Sequence, residues 1–187
     1  RVVLPEGEDL RVLRAAEIIA RRDICDVIVL GGTKVSDLAR ENGVDLSGVQ
    51  LVDPDTDPRT EAFATEYAKL RAHKGITLEQ ARERMTSRSY WGTMMVHLGH
   101  ADGMVSGAAH TTADTIRPSL EFVKTRPGVK LVSSVFLMCL PDRVLVYGDC
   151  AVNPNPDAAG LADIALASAA TARQFGVDPK VAMLSYS

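Results

Sequence analysis

The stretch Ser106-Gly-Ala-Ala-His110-Thr111-Thr112-Ala-Asp114-Thr-Ile-Arg117-Pro118 concentrates the residue types that handle a small anion. Glycine and alanine let a backbone come close to a ligand, while hydroxyls and the first amides of a following helix can hold an anion. Arg117 can add a guanidinium fork for phosphate. The same residues also make an ordinary capped helix, with Thr111 or Thr112 as the cap and Arg117 as a solvent-facing cation. Both readings stay open on the pattern alone. The stretch has neither the Gly-Lys-Ser/Thr of a P-loop nor a Gly-x-Gly-x-x-Gly fingerprint.

Gly148-Asp-Cys-Ala-Val-Asn153-Pro154-Asn155-Pro156 is a second cluster, in which prolines stiffen the backbone and Asn153 and Asn155 project amides at alternate positions. A rigid loop with uncharged hydrogen-bonding groups suits orientation of a polar substrate. Equally, it suits a plain strand-to-helix connection with Asp157 as the cap. Arg71, within Leu70-Arg-Ala-His-Lys74, stands at a helix C-terminus, where a cation also complements the helix dipole. His97 and His100 lack the additional ligands of a recognisable zinc spacing, so no metal is expected. Cys150 follows an acidic residue, which does not favour a thiolate, and reads as an inert thiol. Trp91, Met94 and Met95 read as core.

Positioning these residues requires alternating strands and helices, the signature of an α/β protein with a parallel sheet. Strands are expected at Val2–Leu4, Asp26–Leu30, Val49–Val52 and Gly103–Gly107. Asp9 caps a helix to about Arg22 whose Leu10, Leu13, Ala16 and Ala20 share a face. Further helices run from Gly31-Gly32 to about Asn42, across Phe63, Tyr67 and Leu70 to Gly75, from the Thr77-Leu-Glu-Gln80 capping box, over Tyr90–His97, and from His110–Asp114 to about Val123. Pro127-Gly128 reads as a hinge. Beyond it, Lys130–Cys139 and Val144–Tyr147 are expected to pair antiparallel across Pro141-Asp142. An alanine-rich helix ending at Phe175 and a last strand, Val181–Leu184, follow.

With 187 residues, 46% of them apolar, the chain can build a substantial core. Its net charge of −3 provides no general attraction to a phosphate backbone, so nucleic acid is not an expected partner. The apolar run Val129–Leu140 is broken by Lys130, Ser133 and Ser134 and is too short to span a membrane. Cys25, Cys139 and Cys150 form no Cys-x-x-Cys pair and fit a reducing cytoplasm. The opening in mid-strand and the stop just past an expected strand suggest a piece of a longer protein.

Taken together, Arg1-Val-Val-Leu-Pro-Glu-Gly-Glu8, Leu70-Arg-Ala-His-Lys-Gly75, Ala101–Gly107, His110–Pro118, Ser133–Met138, Gly148–Pro156 and Val181–Ser187 resemble the phosphate acetyltransferase family along the whole chain. That resemblance implies reversible acetyl transfer between coenzyme A and phosphate by direct thiolate attack on acetyl phosphate, without a permanently bound cofactor. It further implies a two-domain isocitrate/isopropylmalate dehydrogenase-like fold, incomplete here. Residues 1–127 would form most of the first domain and 128–187 begin the second. A cytoplasmic homodimer acting on acetyl-CoA, phosphate and acetyl phosphate is expected. Arg117 and Arg71 match arginines implicated at the family's active site. Ser106, His110, Thr111, Thr112, Asn153 and Asn155 are added from the loop arguments. The family's Ser-Arg-Gly-Cys segment and the catalytic Asp after it have no counterpart in these 187 residues, which are therefore expected to be silent alone. Rival readings are an acetyl-CoA-sensing domain of the kind fused to malic enzymes, and phosphate butyryltransferase.

Overall fold

The computed structural model describes residues 1–184 and divides the chain into two compact units, Arg1–Lys124 and Thr125–Ser187. In the first, strands β1 (Val2–Leu4), β2 (Val27–Leu30), β3 (Val49–Val52) and β4 (Gly103–Met104) form one parallel sheet in the order β3-β2-β1-β4. Both faces of its centre are covered, which is why β2 is a continuous apolar run. Val27 and Val29 join Leu4, Leu13 and Val35 on one side, under α1 (Leu10–Arg21) and α2 (Thr33–Glu41). Ile28 and Leu30 join Val3, Phe63, Trp91 and Met94 on the other, under α3 (Thr60–Leu70), α4 (Leu78–Met85) and α5 (Arg88–His97). The period-two alternation of the strands thus feeds two separate cores.

Local chemistry explains most helix ends. Asp9 accepts a hydrogen bond from Arg11 N–H at 2.8 Å to start α1. Thr77 and Gln80 cap each other reciprocally at α4. After α3 the chain makes one 3-10 turn, Ala72–Lys74, and leaves it through Gly75 at φ +71°, a left-handed conformation that suits glycine. Helix α5 begins two residues before the expected Tyr90, because Trp91 N–H already reaches Ser87 C=O. Helix α6 (Thr112–Pro118) passes into a π-helical turn, Ser119–Val123, instead of continuing as α-helix. Pro118 has no N–H with which to continue the ladder.

The expected strand Gly103–Gly107 is reduced to Gly103–Met104, with one further ladder bond from Val105 N–H to Val3 C=O. Beyond that point the amides turn to a different acceptor.

In the second unit, β5 (Val135–Cys139) and β6 (Val144–Gly148) pair antiparallel, Val135 opposite Gly148 and Cys139 opposite Val144. Helix α7 (Ala158–Gln174) is capped by Asp157, which accepts from Gly160 N–H at 2.7 Å. The strand starts at Val135, not Lys130, since Val132 and Ser134 are engaged by the loop after β6. Val181–Leu184 is not a strand, having no ladder partner among the described residues; Ser185–Ser187 of the same motif lie outside them.

Candidate active site

Strand β1 sits between β2 and β4, so the chain leaves it toward one side of the sheet and returns on the other. Ligands of parallel α/β sheets collect outside the carboxyl ends of strands at such a reversal. Two segments meet here: Pro5-Glu6-Gly7 after β1 and Val105–His110 after β4. Gly7 is required by close approach, since a Cβ would lie 2.5 Å from Leu30 C=O and 2.6 Å from Val29 Cγ1.

Glu6 is buried, its side chain 3% exposed, and it accepts four successive backbone N–H groups. Gly107 and Ala108 donate to Oε2, both at 2.9 Å, and Ala109 and His110 to Oε1 at 2.7 and 2.8 Å. The ring Nδ1 of His110 adds a fifth contact, 2.8 Å from Oε1. Gly107 enters this turn at φ +113°. Burial by itself would raise the carboxyl's pKa, but the amides of Ala109, Ala108 and His110 together outweigh it and bring it down to about 2. Arg11 of α1 grips the same loop by donating to Ala108 C=O at 2.6 Å, while its guanidinium is held by Asp9.

This arrangement changes the reading of the small-residue loop. Its small residues were read as allowing close backbone approach to a ligand; the Gly107–His110 amides instead hold the protein's own carboxylate, because the parallel β1–β4 pairing brings Glu6 alongside them. Thr111 is the cap of α6, accepting from Asp114 N–H at 3.2 Å and donating to Asp114 Oδ2 at 2.7 Å. Thr112 is exposed, and Ser106, half-buried, lies 3.5 Å from the Thr115 hydroxyl. Arg117 is exposed, without a hydrogen-bond partner among the described residues. A cavity of about 410 Å³ beside the clamp has Glu6, Ser106 and Ala108 on its lining and an apolar wall that includes Val2, Val12 and Val105.

Arg71 lies at the C-terminus of α3, half-buried, and donates to Glu121 C=O at 3.2 Å; its Nε is buried without a partner. Glu121, in the π-helical turn, accepts from the Tyr67 hydroxyl at 2.6 Å. Burial first, then this hydrogen bond, pushes the Tyr67 phenol well above its ordinary range. Tyr90 is pushed up too, first by burial and then by the Glu121 charge, against the opposing charges of Arg84 and Arg117. Arg84 stacks 5.6 Å over the Tyr90 ring. Arg71 reaches Glu121 C=O and Arg84 the Tyr90 ring, so both bring cationic charge to one Tyr67–Tyr90–Glu121 cluster.

In the second unit the organising group is Asp149. It accepts from the hydroxyl and N–H of Ser134, from the N–H groups of Ala151, Val152 and Asn153, and from the Asn153 amide. Burial opposes its ionisation, yet the Ser134 hydroxyl, the Ala151 amide and the Asn153 side chain hold it well below the usual carboxylate range. Asn153 also donates to Val132 C=O at 2.8 Å, so its amide faces inward, whereas Asn155 is exposed. Cys150 is half-buried with its Sγ 3.3 Å from the Ser134 hydroxyl.

Glu6, Arg11, Glu121 and Asp149 were not singled out by type and spacing. A Pro-Glu-Gly turn at the carboxyl end of the first strand was the available signal for Glu6. Among the described residues no group of three or more His, Cys, Asp or Glu could hold a metal ion, and no helix is long and apolar enough to cross a membrane.

The sequence model of the family described as phosphate acetyl/butaryl transferase matches residues 1–187. A protein of Nitratidesulfovibrio vulgaris named phosphate acetyltransferase is 58% identical over 100% of this chain and 27% of its own length. One of Corynebacterium glutamicum with the same name is 56% identical over 100% of this chain and 57% of its own. The phosphotransacetylase EutD from Staphylococcus aureus superposes with a TM-score of 0.89 at 48% identity, over 100% of this chain and 56% of that one. A phosphotransacetylase from Streptococcus pyogenes gives 0.92 at 40% identity, over 100% and 57%. The chain spans between about a quarter and somewhat over half the length of these relatives.

Proposed function

The chain belongs to the phosphate acetyl/butaryl transferase family, and on that premise we propose that the protein catalyses reversible transfer of an acetyl group between coenzyme A and phosphate. The observation that carries this reading is the identity of 56–58% over the whole chain to proteins named phosphate acetyltransferase. In the reaction the CoA thiolate attacks the carbonyl carbon of acetyl phosphate. A C–S bond forms, the C–O bond to phosphorus breaks, and phosphate leaves with the electron pair; the thiol proton goes to a base. The step needs cations that stabilise charge on the departing phosphate. Arg117, exposed and uncommitted, and Arg71, with its unpartnered Nε, are assigned that role. Ser106, His110, Thr111 and Thr112 in the first unit, and Asn153 and Asn155 in the second, are assigned to substrate binding.

On this reading acetyl-CoA, phosphate and acetyl phosphate are the partners, and no cofactor is permanently bound. The whole protein is a cytoplasmic homodimer with a two-domain isocitrate/isopropylmalate dehydrogenase-like fold, residues 1–127 in the first domain and 128–187 opening the second. The test is phosphate-dependent release of the CoA thiol from acetyl-CoA by the full gene product. Arg117→Ala is expected to lower turnover about 10²–10³-fold, the size typical of losing one charge-stabilising donor. No phosphate-dependent release by the unmutated protein overturns the reading; faster release from butyryl-CoA than from acetyl-CoA moves the assignment to the butyryl branch.

A further inference from the structure

Glu6 is the most deeply buried carboxylate among the described residues, and nothing in the acetyl-transfer chemistry above uses it. It does two things at once. Its acceptance of the N–H groups of Gly107, Ala108, Ala109 and His110 closes the loop into one shape. Its ionised carboxylate has no proton to donate, and Oε1 lies 2.8 Å from His110 Nδ1, so the hydrogen bond between them requires the proton on that nitrogen. In the neutral imidazole, with Nδ1 donating inward, the other ring nitrogen carries the lone pair. The His110 side chain is 37% exposed, and Nε2 has no hydrogen-bond partner among the described residues.

A carboxylate behind Nδ1, a fixed tautomer and a free Nε2 are the elements by which proteins orient histidines that act on a substrate. A histidine serving only to pack would need neither the buried charge nor the open nitrogen. We propose that Glu6 is the positioning residue of this site, holding His110 so that Nε2 accepts a hydrogen bond from a donor group of the substrate. The inference rests on the acetyl-transfer reading only for the identity of the substrate. That reading offers two ligands that carry donors, hydrogen phosphate with its P–OH and CoA with its S–H and amide N–H groups.

The test is ¹⁵N NMR of the histidine rings in the full gene product, with Glu6→Gln, Glu6→Asp and His110→Ala beside it. In the unmutated protein His110 is expected as the Nδ1–H tautomer, and in Glu6→Gln that bias is lost while the rest of the spectrum stays folded. Glu6→Asp keeps an acceptor behind the ring and restores part of the bias. Inorganic phosphate and CoA are then titrated separately. A shift of the Nε2 resonance with phosphate alone identifies the P–OH as the donor, and a shift with CoA alone identifies CoA. Kinetically, Glu6→Gln is expected to lower kcat/KM about 10–100-fold, and the Glu6→Gln/His110→Ala pair to be no worse than His110→Ala, as for two residues acting in series. An Nε2–H tautomer in the unmutated protein, no response to either ligand, or fully additive losses in the double variant would overturn the proposal. The resonance assignments and titrations do not require turnover, so a tautomer and ligand response in a protein that releases no CoA would overturn the acetyl-transfer reading alone.

Discussion

In the first unit a carboxylate at the end of β1 gathers amides 101 to 104 residues further along the chain, whereas in the second Asp149 gathers amides two to four residues on and that of Ser134, 15 residues back. Both carboxylates are held ionised by converging N–H groups, and both shape the loop that follows a strand. They differ in what they join. Glu6 ties β1 to the β4–α6 connection across a sheet whose two faces bury Trp91, Phe63 and Leu13. Asp149 shapes its own turn and accepts two hydrogen bonds from Ser134, in a unit where, among the described apolar residues, only Ile164 and Ala172 are deeply buried and Phe136, Tyr147, Leu166 and Phe175 are exposed. A long-range clamp on a packed core carries tertiary structure; a local clamp on a thin one carries loop conformation.

That contrast breaks most easily at the two carboxylates. Glu6→Ala leaves four converging amides without their acceptor, and is expected to lower the stability of the first unit by about 3–5 kcal/mol. Asp149→Ala, which removes a carboxylate less deeply buried than Glu6, is expected to cost about 1–2 kcal/mol. Urea unfolding followed by the single tryptophan, Trp91, reads the first unit, and hydrogen exchange of the α7 amides reads the second. Equal losses would show that sequence separation does not matter to the clamp.

Acid sharpens the comparison. Glu6 has an ordinary pKa of 4.5 and one of about 2 in the folded protein, so the unfolded chain binds more protons between those values. The stabilisation is complete above pH 4.5, falls as pH drops toward 2, and amounts to about 3 kcal/mol. Trp91-detected stability should therefore decline across that window, and Glu6→Gln should flatten the decline. A slope unchanged by Glu6→Gln would place the acid sensitivity elsewhere.

Smaller effects separate residues of the fold from those left over for chemistry. Thr111→Ala removes the α6 cap and is expected to cost about 1 kcal/mol. Arg117→Ala, at an exposed position without a hydrogen-bond partner among the described residues, should change stability by no more than about 0.5 kcal/mol while lowering turnover. A large thermal shift in Arg117→Ala would make it a structural residue.

Much of this was readable along the chain. The apolar run of β2, the Asp9 and Asp157 caps, the Thr77–Gln80 box and the glycine exit at Gly75 act within a few residues, where neighbouring side chains and backbone settle the outcome. The Ser106–Arg117 stretch and the Asn153 loop stood out by composition. Their internal wiring did not. Spacing says nothing about a carboxylate a hundred residues away, so the anion-loop and capped-helix readings both stayed open, and the strand before the loop read as longer than the two residues that pair with β1. Nor could it show that Arg71 would share Glu121 with Tyr67, since that contact depends on α3 packing against the turn after α6.

By itself, then, the sequence determined the alternation of elements, their faces, most of their caps and the family to which the residues belong, because propensity, periodicity and motif identity are properties of short stretches. Only tertiary structure decided that Glu6 fills the concavity of Gly107–His110 and that His110 turns Nδ1 toward its carboxylate. Those outcomes follow from β1 and β4 lying side by side in a parallel sheet, where distant segments share one low-dielectric space and a buried charge must find every donor within reach.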